Sequence, residues 1–142
     1  PIKWVKSHIS KQSNLDIDVE DTANIVLGFS ENHDRELTAS LNMDFIRHDN
    51  TRKCYAIGEQ GTLLWDGVSQ EVKFFAKSGR EWNTIFSSNV DGNFTYFEEI
   101  QAFFSSIESN DLPCISGSDG MQVVIAVEAI KKSSETNTKV YL

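Results

Sequence analysis

The fold is decided by residues 22–45, which read TANIVLGFSENHDRELTASLNMDF. Apolar side chains alternate with small or polar ones in both arms of this stretch, and the polar segment 31–34 separates the arms. Because a period of two residues is typical of a half-buried strand, the stretch predicts an antiparallel hairpin with one buried face. The predicted buried face comprises Ala23, Ile25, Leu27, Phe29, Leu37, Ala39, Leu41, Met43 and Phe45. The opposite face carries Thr38, Ser40 and Asn42, and we expect it to be solvated or to meet another polar surface.

Shorter strand-like runs surround the hairpin. They occupy residues 2–10, 52–59, 62–65, 72–76, 82–86 and 139–142. Glycine-containing turns separate the runs between residues 52 and 76, which is typical of an antiparallel meander.

The C-terminal third changes to a helical period. Thr95 and Glu98 match a capping box with Thr95 as the N-cap, and apolar residues follow at helical spacing. A second helix is expected to begin near Ser118 or Asp119 and to end at Asn137. Its expected apolar stripe consists of Val123, Val124, Val127 and Ile130. The sequence therefore predicts an α+β fold, an open-faced, mostly antiparallel mixed β-sheet with two helices packed on one face.

Length and charge limit the possible functions. The 142 residues predict a single domain, residues 1–142, with a real core. The net charge of −8 would repel phosphate backbones and anionic lipids, so we expect neither nucleic-acid nor membrane binding. No apolar run approaches membrane-spanning length. Cys54 and Cys114 lack metal-type spacing and favour a reducing, cytoplasmic location.

The chain shows no pattern of a self-sufficient active site. It has no glycine-rich phosphate loop, and no nucleophile–base pair that an independent hydrolase would need. The acidic run 16–21 is interpreted as a solvated loop, and His33 as a solvated turn residue. His48, Asn50 and Arg52 cluster after the strictly alternating strand, which fits either a binding rim or an ordinary charged loop. We therefore expect no catalytic residue and no metal site in this chain.

Five stretches together resemble the C-terminal half of the Gfo/Idh/MocA oxidoreductases, the family named for glucose–fructose oxidoreductase and inositol dehydrogenase. The similar stretches are Asp18–Ala23, the alternating strand Leu37–Asp44, Arg52–Leu63, the Tyr96–Phe103 helix with its Tyr-x-x-Glu-x-x-x-Phe pattern, and the Asp119–Ser134 helix with its Glu-Ala-x-x-x-Ser pattern. They cover nearly the whole chain in order. The sequences at 43–47 and 61–66 are most similar to members of surface-sugar and sialic-acid-type pathways.

The resemblance implies a function as the C-terminal domain of an NAD(P)-dependent oxidoreductase acting on a sugar, cyclitol or nucleotide sugar. The catalytic motifs of that family precede the matched region, and Pro1 aligns just after them, so the fragment is expected to be inactive and to bind no cofactor alone. The resemblance assigns His48, Asn50 and Arg52 to the substrate and Tyr96 to the cofactor, NAD or NADP. It also implies an N-terminal Rossmann domain as partner and a homo-oligomer formed through the sheet face.

A stand-alone binding or assembly domain without a catalytic partner is the alternative. The upstream reading frame discriminates the two hypotheses. A glycine-rich strand–turn–helix followed by Glu-Lys-Pro supports the enzyme, whereas a native start codon near Pro1 supports the binding module.

Overall fold

The computed structural model describes residues 1–31 and 35–142, so His33 and most of the predicted 31–34 turn lie outside the described residues. The described residues form eight strands and two helices. In chain order they are β1 (Ile2–Ser10), β2 (Thr22–Glu31), β3 (Arg35–Asp44), β4 (Lys53–Gly58), β5 (Gly61–Asp66), β6 (Glu71–Ala76), β7 (Asn83–Ser87), α1 (Phe94–Ser109), α2 (Gly117–Thr136) and β8 (Val140–Tyr141). Neither helix of this described part is long and apolar enough to cross a membrane.

The chain divides into two compact units. The first consists of residues 1–47 and 111–142, and the second of residues 48–110. The strands form two open four-stranded sheets, one in each unit, with the orders β3-β2-β1-β8 and β4-β5-β6-β7. All pairs of neighbouring strands are antiparallel. The predicted α+β class and open antiparallel architecture are confirmed, although the strands are distributed over two sheets rather than one.

The hairpin predicted from residues 22–45 is present as β2 and β3. Ile25 lies opposite Leu41, and Leu27 lies opposite Ala39, so their side chains share one face as the alternation predicts. Ile25 is buried, whereas Leu41 on the edge strand is 37% exposed. The apolar face is therefore best covered near the middle of the sheet, where β1 and β2 lie, and less well at β3.

Helix α2 packs against β1 through small residues. Ala126, Ala129 and Ser133 are buried on its inner side, and Val5 of β1 is fully buried. The prediction that the valines of α2 form its buried stripe was wrong, since Val123, for example, is 63% exposed. Small side chains allow the helix to approach the β1 backbone closely, which branched valines in the same positions would prevent.

Two serines of α2 accept hydrogen bonds from amides of β1 that do not pair with β8. The Ser133 hydroxyl accepts a hydrogen bond from the Ser7 amide at 3.1 Å and donates to the Thr138 carbonyl at 2.6 Å. The Ser134 hydroxyl accepts from the Ile9 amide at 2.9 Å. The short strand β8 pairs with β1 only at Trp4 and Val5, so the amides of Ser7 and Ile9 have no strand partner on that edge. The two serine hydroxyls of α2 accept the hydrogen bonds of these amides instead.

The ends of α2 follow the expected capping chemistry. Ser116 is the N-cap: its hydroxyl accepts from the Asp119 amide at 3.2 Å, and its own amide donates to Asp119 Oδ2 at 2.8 Å. The helix thus begins at Gly117, slightly before the predicted start, because Asp119 is the third helical residue of the capping box. Asn137 ends the helix in the left-handed conformation, as predicted, with φ of 49°.

The sheet of the second unit carries its charged and aromatic pairs on one face. Lys53 pairs with Asp66 at 3.2 Å, and Lys73 pairs with Glu71 at 2.9 Å. The pKa of the Asp66 carboxyl is lowered, first by the hydrogen bond from the Ser69 amide and then by Lys53. Further along the face, the Trp82 ring makes edge contacts with Tyr55 and Phe75, at centroid distances of 6.5 and 5.5 Å.

Candidate functional site

The predicted substrate loop follows β3 and leads into β4 in the second unit. At its start, Asp44 Oδ1 accepts hydrogen bonds from the amides of Ile46 and Arg47, at 3.0 and 2.7 Å, which turns the chain out of the sheet. His48 and Asn50 then lie exposed to solvent. Their side chains make no hydrogen bond or ion pair with any residue that the structure describes, so their polar atoms remain available to a ligand.

Arg52 closes the loop and is the most firmly placed of the predicted site residues. Its carbonyl accepts a hydrogen bond from the Gly67 amide at 2.7 Å. Its guanidinium carbon lies over the Trp65 ring, 5.4 Å from the centroid, which is within cation–π distance. Trp65 is 40% exposed and lies opposite Cys54 in the β4–β5 register. The backbone and the side chain of Arg52 are therefore both held by the second sheet.

Gly67 lies close to both partners of this pair. A β-carbon added to Gly67 would lie 2.8 Å from Trp65 Cζ2 and 3.2 Å from Arg52 Cδ. Real β-carbon contacts are almost never so short, so a side chain at this position would displace the Trp65 ring or the Arg52 stem. The absence of a side chain at residue 67 thus permits the packing of Arg52 over Trp65.

Tyr96, the predicted cofactor contact, lies in the first turn of α1 and is 65% exposed. The predicted Thr95 capping box was wrong, because α1 begins at Phe94 with Asn93 as an N-cap that makes no side-chain cap bond. Instead, Asp91 initiates the helix: its carboxylate accepts from the Asn93 amide at 3.1 Å and its carbonyl from the Phe94 amide at 2.9 Å.

The predicted loop residues are neighbours in sequence, and no contact between described residues links them to Tyr96. His48, Asn50 and Arg52 share one loop of five residues. No hydrogen bond or ring contact joins Tyr96 to any of them in the described part of the chain. The substrate and cofactor assignments therefore rest on two separate elements of the second unit, the β3–β4 connection and the start of α1.

The sequence reasoning missed a buried carboxylate, Asp21. It is 2% exposed, and its oxygens accept hydrogen bonds from the Gln12 amide at 2.8 Å, and from the Ser13 amide and hydroxyl at 2.9 and 2.6 Å. The Ser13 hydroxyl bond is the main cause of a strongly lowered pKa of the Asp21 carboxyl. The assignment of this acid to a solvated loop was wrong. The donor-rich Gln12-Ser13 pair, which lies eight to nine residues earlier, was the only sequence signal, and it is a weak one.

The polar face of the first sheet is open to solvent. Thr38, Ser40 and Asn42 are exposed, and Asn42 Nδ2 donates to Asn24 Oδ1 across the strands at 2.6 Å. At one end of this face the Trp4 ring lies against Gly28, its indole N–H donates to the Glu36 carboxylate, and the Lys139 ammonium lies 3.8 Å from its ring centroid.

Within residues 1–31 and 35–142, no group of three or more histidine, cysteine, aspartate or glutamate side chains could hold a metal ion. Cys54 and Cys114 are both unpaired and exposed.

Comparison with known proteins identifies the class. The model of the C-terminal α/β domain of the Gfo/Idh/MocA oxidoreductase family matches residues 2–142. The chain belongs to this family. No curated protein sequence matches it significantly.

Solved structures with the same fold include levoglucosan dehydrogenase in complex with NADH and levoglucosan, with a TM-score of 0.85 and 17% identity over 99% of this chain and 45% of that one. The aldose-aldose oxidoreductase from Caulobacter crescentus, complexed with glycerol, has a TM-score of 0.77 and 19% identity over 99% of this chain and 41% of that one. An oxidoreductase from Agrobacterium radiobacter in complex with NAD+, L-tartaric acid and magnesium has a TM-score of 0.77 and 17% identity, over 99% and 43% respectively. The chain thus spans less than half the length of these proteins.

Proposed function

We propose that this chain is the substrate-binding part of an NAD(P)-dependent oxidoreductase that acts on a sugar, cyclitol or nucleotide sugar. The family match over residues 2–142 carries the proposal. A levoglucosan dehydrogenase and an aldose-aldose oxidoreductase share the fold, and the former was solved with NADH and levoglucosan, which supports a carbohydrate substrate and a nicotinamide cofactor. We expect residues 1–142 to act as one C-terminal domain beside an N-terminal Rossmann domain of the same protein.

The proposed substrate contacts are His48, Asn50 and Arg52. A sugar presents hydroxyl groups that both donate and accept hydrogen bonds, and the imidazole and amide groups of this loop can pair with them. Since none of the three side chains is engaged in a hydrogen bond or ion pair with the described residues, a substrate does not have to displace an internal partner. Their exposure supports a role in binding rather than in folding.

The proposed cofactor contact is Tyr96, whose hydroxyl makes no hydrogen bond with a described residue and can donate one to the nicotinamide end of the cofactor. This chain alone is expected to catalyse nothing and to hold no dinucleotide firmly, because hydride transfer requires the other half of the protein to position the cofactor. Assaying the 142-residue chain with NAD(H) and sugars tests this. Turnover or tight dinucleotide binding by the chain alone would contradict the proposal.

The open polar face of the first sheet is proposed to mediate self-association. Its side chains Thr38, Ser40 and Asn42 on β3 are small, uncharged and exposed, so they allow another sheet to approach this strand closely. Light scattering on the wild-type chain should show an oligomer, and Ser40→Arg should shift it to monomer. Gln122→Arg adds the same charge on exposed α2 and should leave the oligomer intact. A strictly monomeric wild-type chain would remove this role.

The location is proposed to be cytoplasmic. Both cysteines are unpaired and exposed, a state that a reducing compartment maintains.

The decisive experiment begins with the reading frame upstream of Pro1 and the protein that it encodes. An NAD(P)-dependent activity on sugars or cyclitols is expected. Replacing the loop residue Asn50 by alanine should lower kcat/KM for the sugar by about tenfold, mainly through KM, because a substrate hydrogen bond is lost. Asn89→Ala, an exposed asparagine outside the loop, is the matched control and should leave kcat/KM unchanged. A frame without a dinucleotide-binding domain would favour the stand-alone binding or assembly module instead.

A further inference from the structure

We infer that Arg52 is an anion-recognition residue whose guanidinium is held in place by Trp65, so that the substrate carries a carboxylate or phosphate group at this point. The inference rests on the proposed function, because it names the chemical class of the ligand that the loop binds. It goes beyond the family assignment, which leaves open whether the substrate is neutral or charged.

The first support is that Arg52 is already ordered before a ligand arrives. Its carbonyl is fixed by the Gly67 amide at 2.7 Å, and its guanidinium carbon lies 5.4 Å from the Trp65 centroid. A free arginine side chain loses considerable rotamer freedom when it binds, whereas one that already lies on an aromatic ring loses less. Part of this entropic cost is therefore met during folding.

The second support is that the guanidinium has no acidic partner among the residues that the structure describes. The two nearest lysines in sequence on the sheet are neutralised, Lys53 by Asp66 and Lys73 by Glu71. Arg52 forms no ion pair or side-chain hydrogen bond with any described residue, although the chain carries a net charge of −8. In a chain so rich in carboxylates, an ordered and unpaired arginine is well suited to an external anion.

The third support is the geometry of the guanidinium itself. Its N–H donors point outward in the plane of the group, and none of them makes a hydrogen bond with a described residue, so they are accessible beside the Trp65 ring. Two parallel N–H groups match the two oxygens of a carboxylate or phosphate, which a sugar hydroxyl cannot match. His48 and Asn50, on the same loop, can bind hydroxyl groups of the same molecule. An acidic sugar or a sugar phosphate offers an anionic group to Arg52 and hydroxyl groups to His48 and Asn50.

The test compares D-glucuronate and D-glucose 6-phosphate with neutral D-glucose, by NMR titration of the 142-residue chain. Both acidic probes should bind at least about tenfold more tightly than glucose, since a charge-assisted contact typically contributes this much. Comparing the affinities of D-glucuronate and D-glucose 6-phosphate shows whether the site prefers a carboxylate or a phosphate. Arg52→Gln should abolish the difference between acidic and neutral probes. Arg80→Gln, which removes an exposed arginine elsewhere in the second unit, should preserve it.

Two further variants test whether binding needs the planar guanidinium and its contact with Trp65, or only a positive charge at residue 52. Arg52→Lys keeps the charge but not the planar fork, and should recover only part of the lost affinity. Trp65→Leu keeps Arg52 but removes the ring, and should weaken acidic-probe binding by about two- to fivefold. Full recovery by lysine would overturn the role of the guanidinium geometry. Failure of both acidic probes to bind the wild-type chain, or equal losses in Arg52→Gln and Arg80→Gln, would overturn the whole inference.

The outcomes also separate this inference from the proposed function. If the complete reading frame encodes no dehydrogenase and acidic probes still require Arg52, the proposed function fails and the anion site stands. If the complete protein oxidises sugars and Arg52→Gln lowers kcat/KM equally for acidic and neutral ones, the anion site fails and the proposed function stands.

Discussion

Ser133 provides the sharpest test of how α2 is held on the first sheet, through the variant Ser133→Ala. Its side chain is fully buried, and its hydroxyl bridges the Ser7 amide at 3.1 Å and the Thr138 carbonyl at 2.6 Å. Alanine removes the bridge and fits the same space. The Ser7 amide then loses its acceptor in a residue that is only 5% exposed, whereas the exposed Thr138 can bind water instead.

The expected destabilisation follows from that asymmetry. An unsatisfied buried backbone donor costs about 1–3 kcal/mol, and the rehydrated carbonyl adds little. We therefore expect the free energy of unfolding to fall by about 2 kcal/mol, a large part of the roughly 5–15 kcal/mol that a domain has. At a urea dependence of about 1–3 kcal/mol per molar, the unfolding midpoint should fall by on the order of 1 M.

The assay is urea unfolding followed by far-UV circular dichroism, with Ser118→Ala as the control. Ser118 also lies on α2, but its side chain is exposed and makes no hydrogen bond with the described residues, so the control should change stability by less than about 0.5 kcal/mol. Hydrogen exchange at the Ser7 amide should accelerate only in Ser133→Ala. A loss in Ser133→Ala no larger than that in the control would refute the bridging role of this hydroxyl.

The remaining predictions concern other buried or exposed groups. Gly28→Ala should lower the free energy of unfolding by about 1–3 kcal/mol in urea titrations, because a β-carbon at this position would overlap the Trp4 ring; an unchanged midpoint would show that Trp4 can move away freely. The pKa of the Asp21 carboxyl is lowered below 3.8 in the folded chain, so its ionised form stabilises the fold above that pH and this contribution is lost as the pH falls through the lowered pKa. Asp21→Asn should therefore be less stable than wild type at neutral pH, with the gap narrowing below about pH 4; a pH-independent gap would contradict this origin. Tyr96→Phe in the complete protein should raise KM for the dinucleotide by about two- to tenfold and leave the unfolding midpoint unchanged, because the side chain is largely exposed; an unchanged KM would remove Tyr96 from the cofactor site.

The sequence predicted the parts of the fold that depend on local periodicity and backbone chemistry. The alternation from residue 22 to 45 indicated the hairpin, and Asn137 indicated the left-handed end of α2, because both signals are carried by the residues concerned. The inner face of α2 could not be found in the same way. Hydrophobicity favoured the valines, but tertiary packing against β1 selected the alanines and Ser133, whose hydroxyl has a partner 126 residues away in sequence.

The sequence indicated the polar loop that we propose as the site, but it did not indicate how that loop packs. The polar cluster at residues 48–52 was visible at the end of an alternating strand. The contact between Arg52 and Trp65 was not, because it depends on the β4–β5 register and on the lack of a side chain at Gly67. Register is a property of paired strands, and no single run of residues specifies which side chains it brings together.

Hydrogen-bond satisfaction separates the polar groups that hold this fold from those available for function. Asp21 and Ser133 are buried with their oxygens engaged by backbone groups, so neither can take up a substrate proton or bind a ligand without first breaking the local structure. The side chains of His48 and Asn50 are exposed and unengaged among the described residues, and Arg52 is held by ring and backbone contacts that leave its N–H donors unused. A binding site needs groups whose position is fixed while their hydrogen-bonding capacity remains open. Arg52 meets both conditions, which is why we propose that the ligand class depends on it.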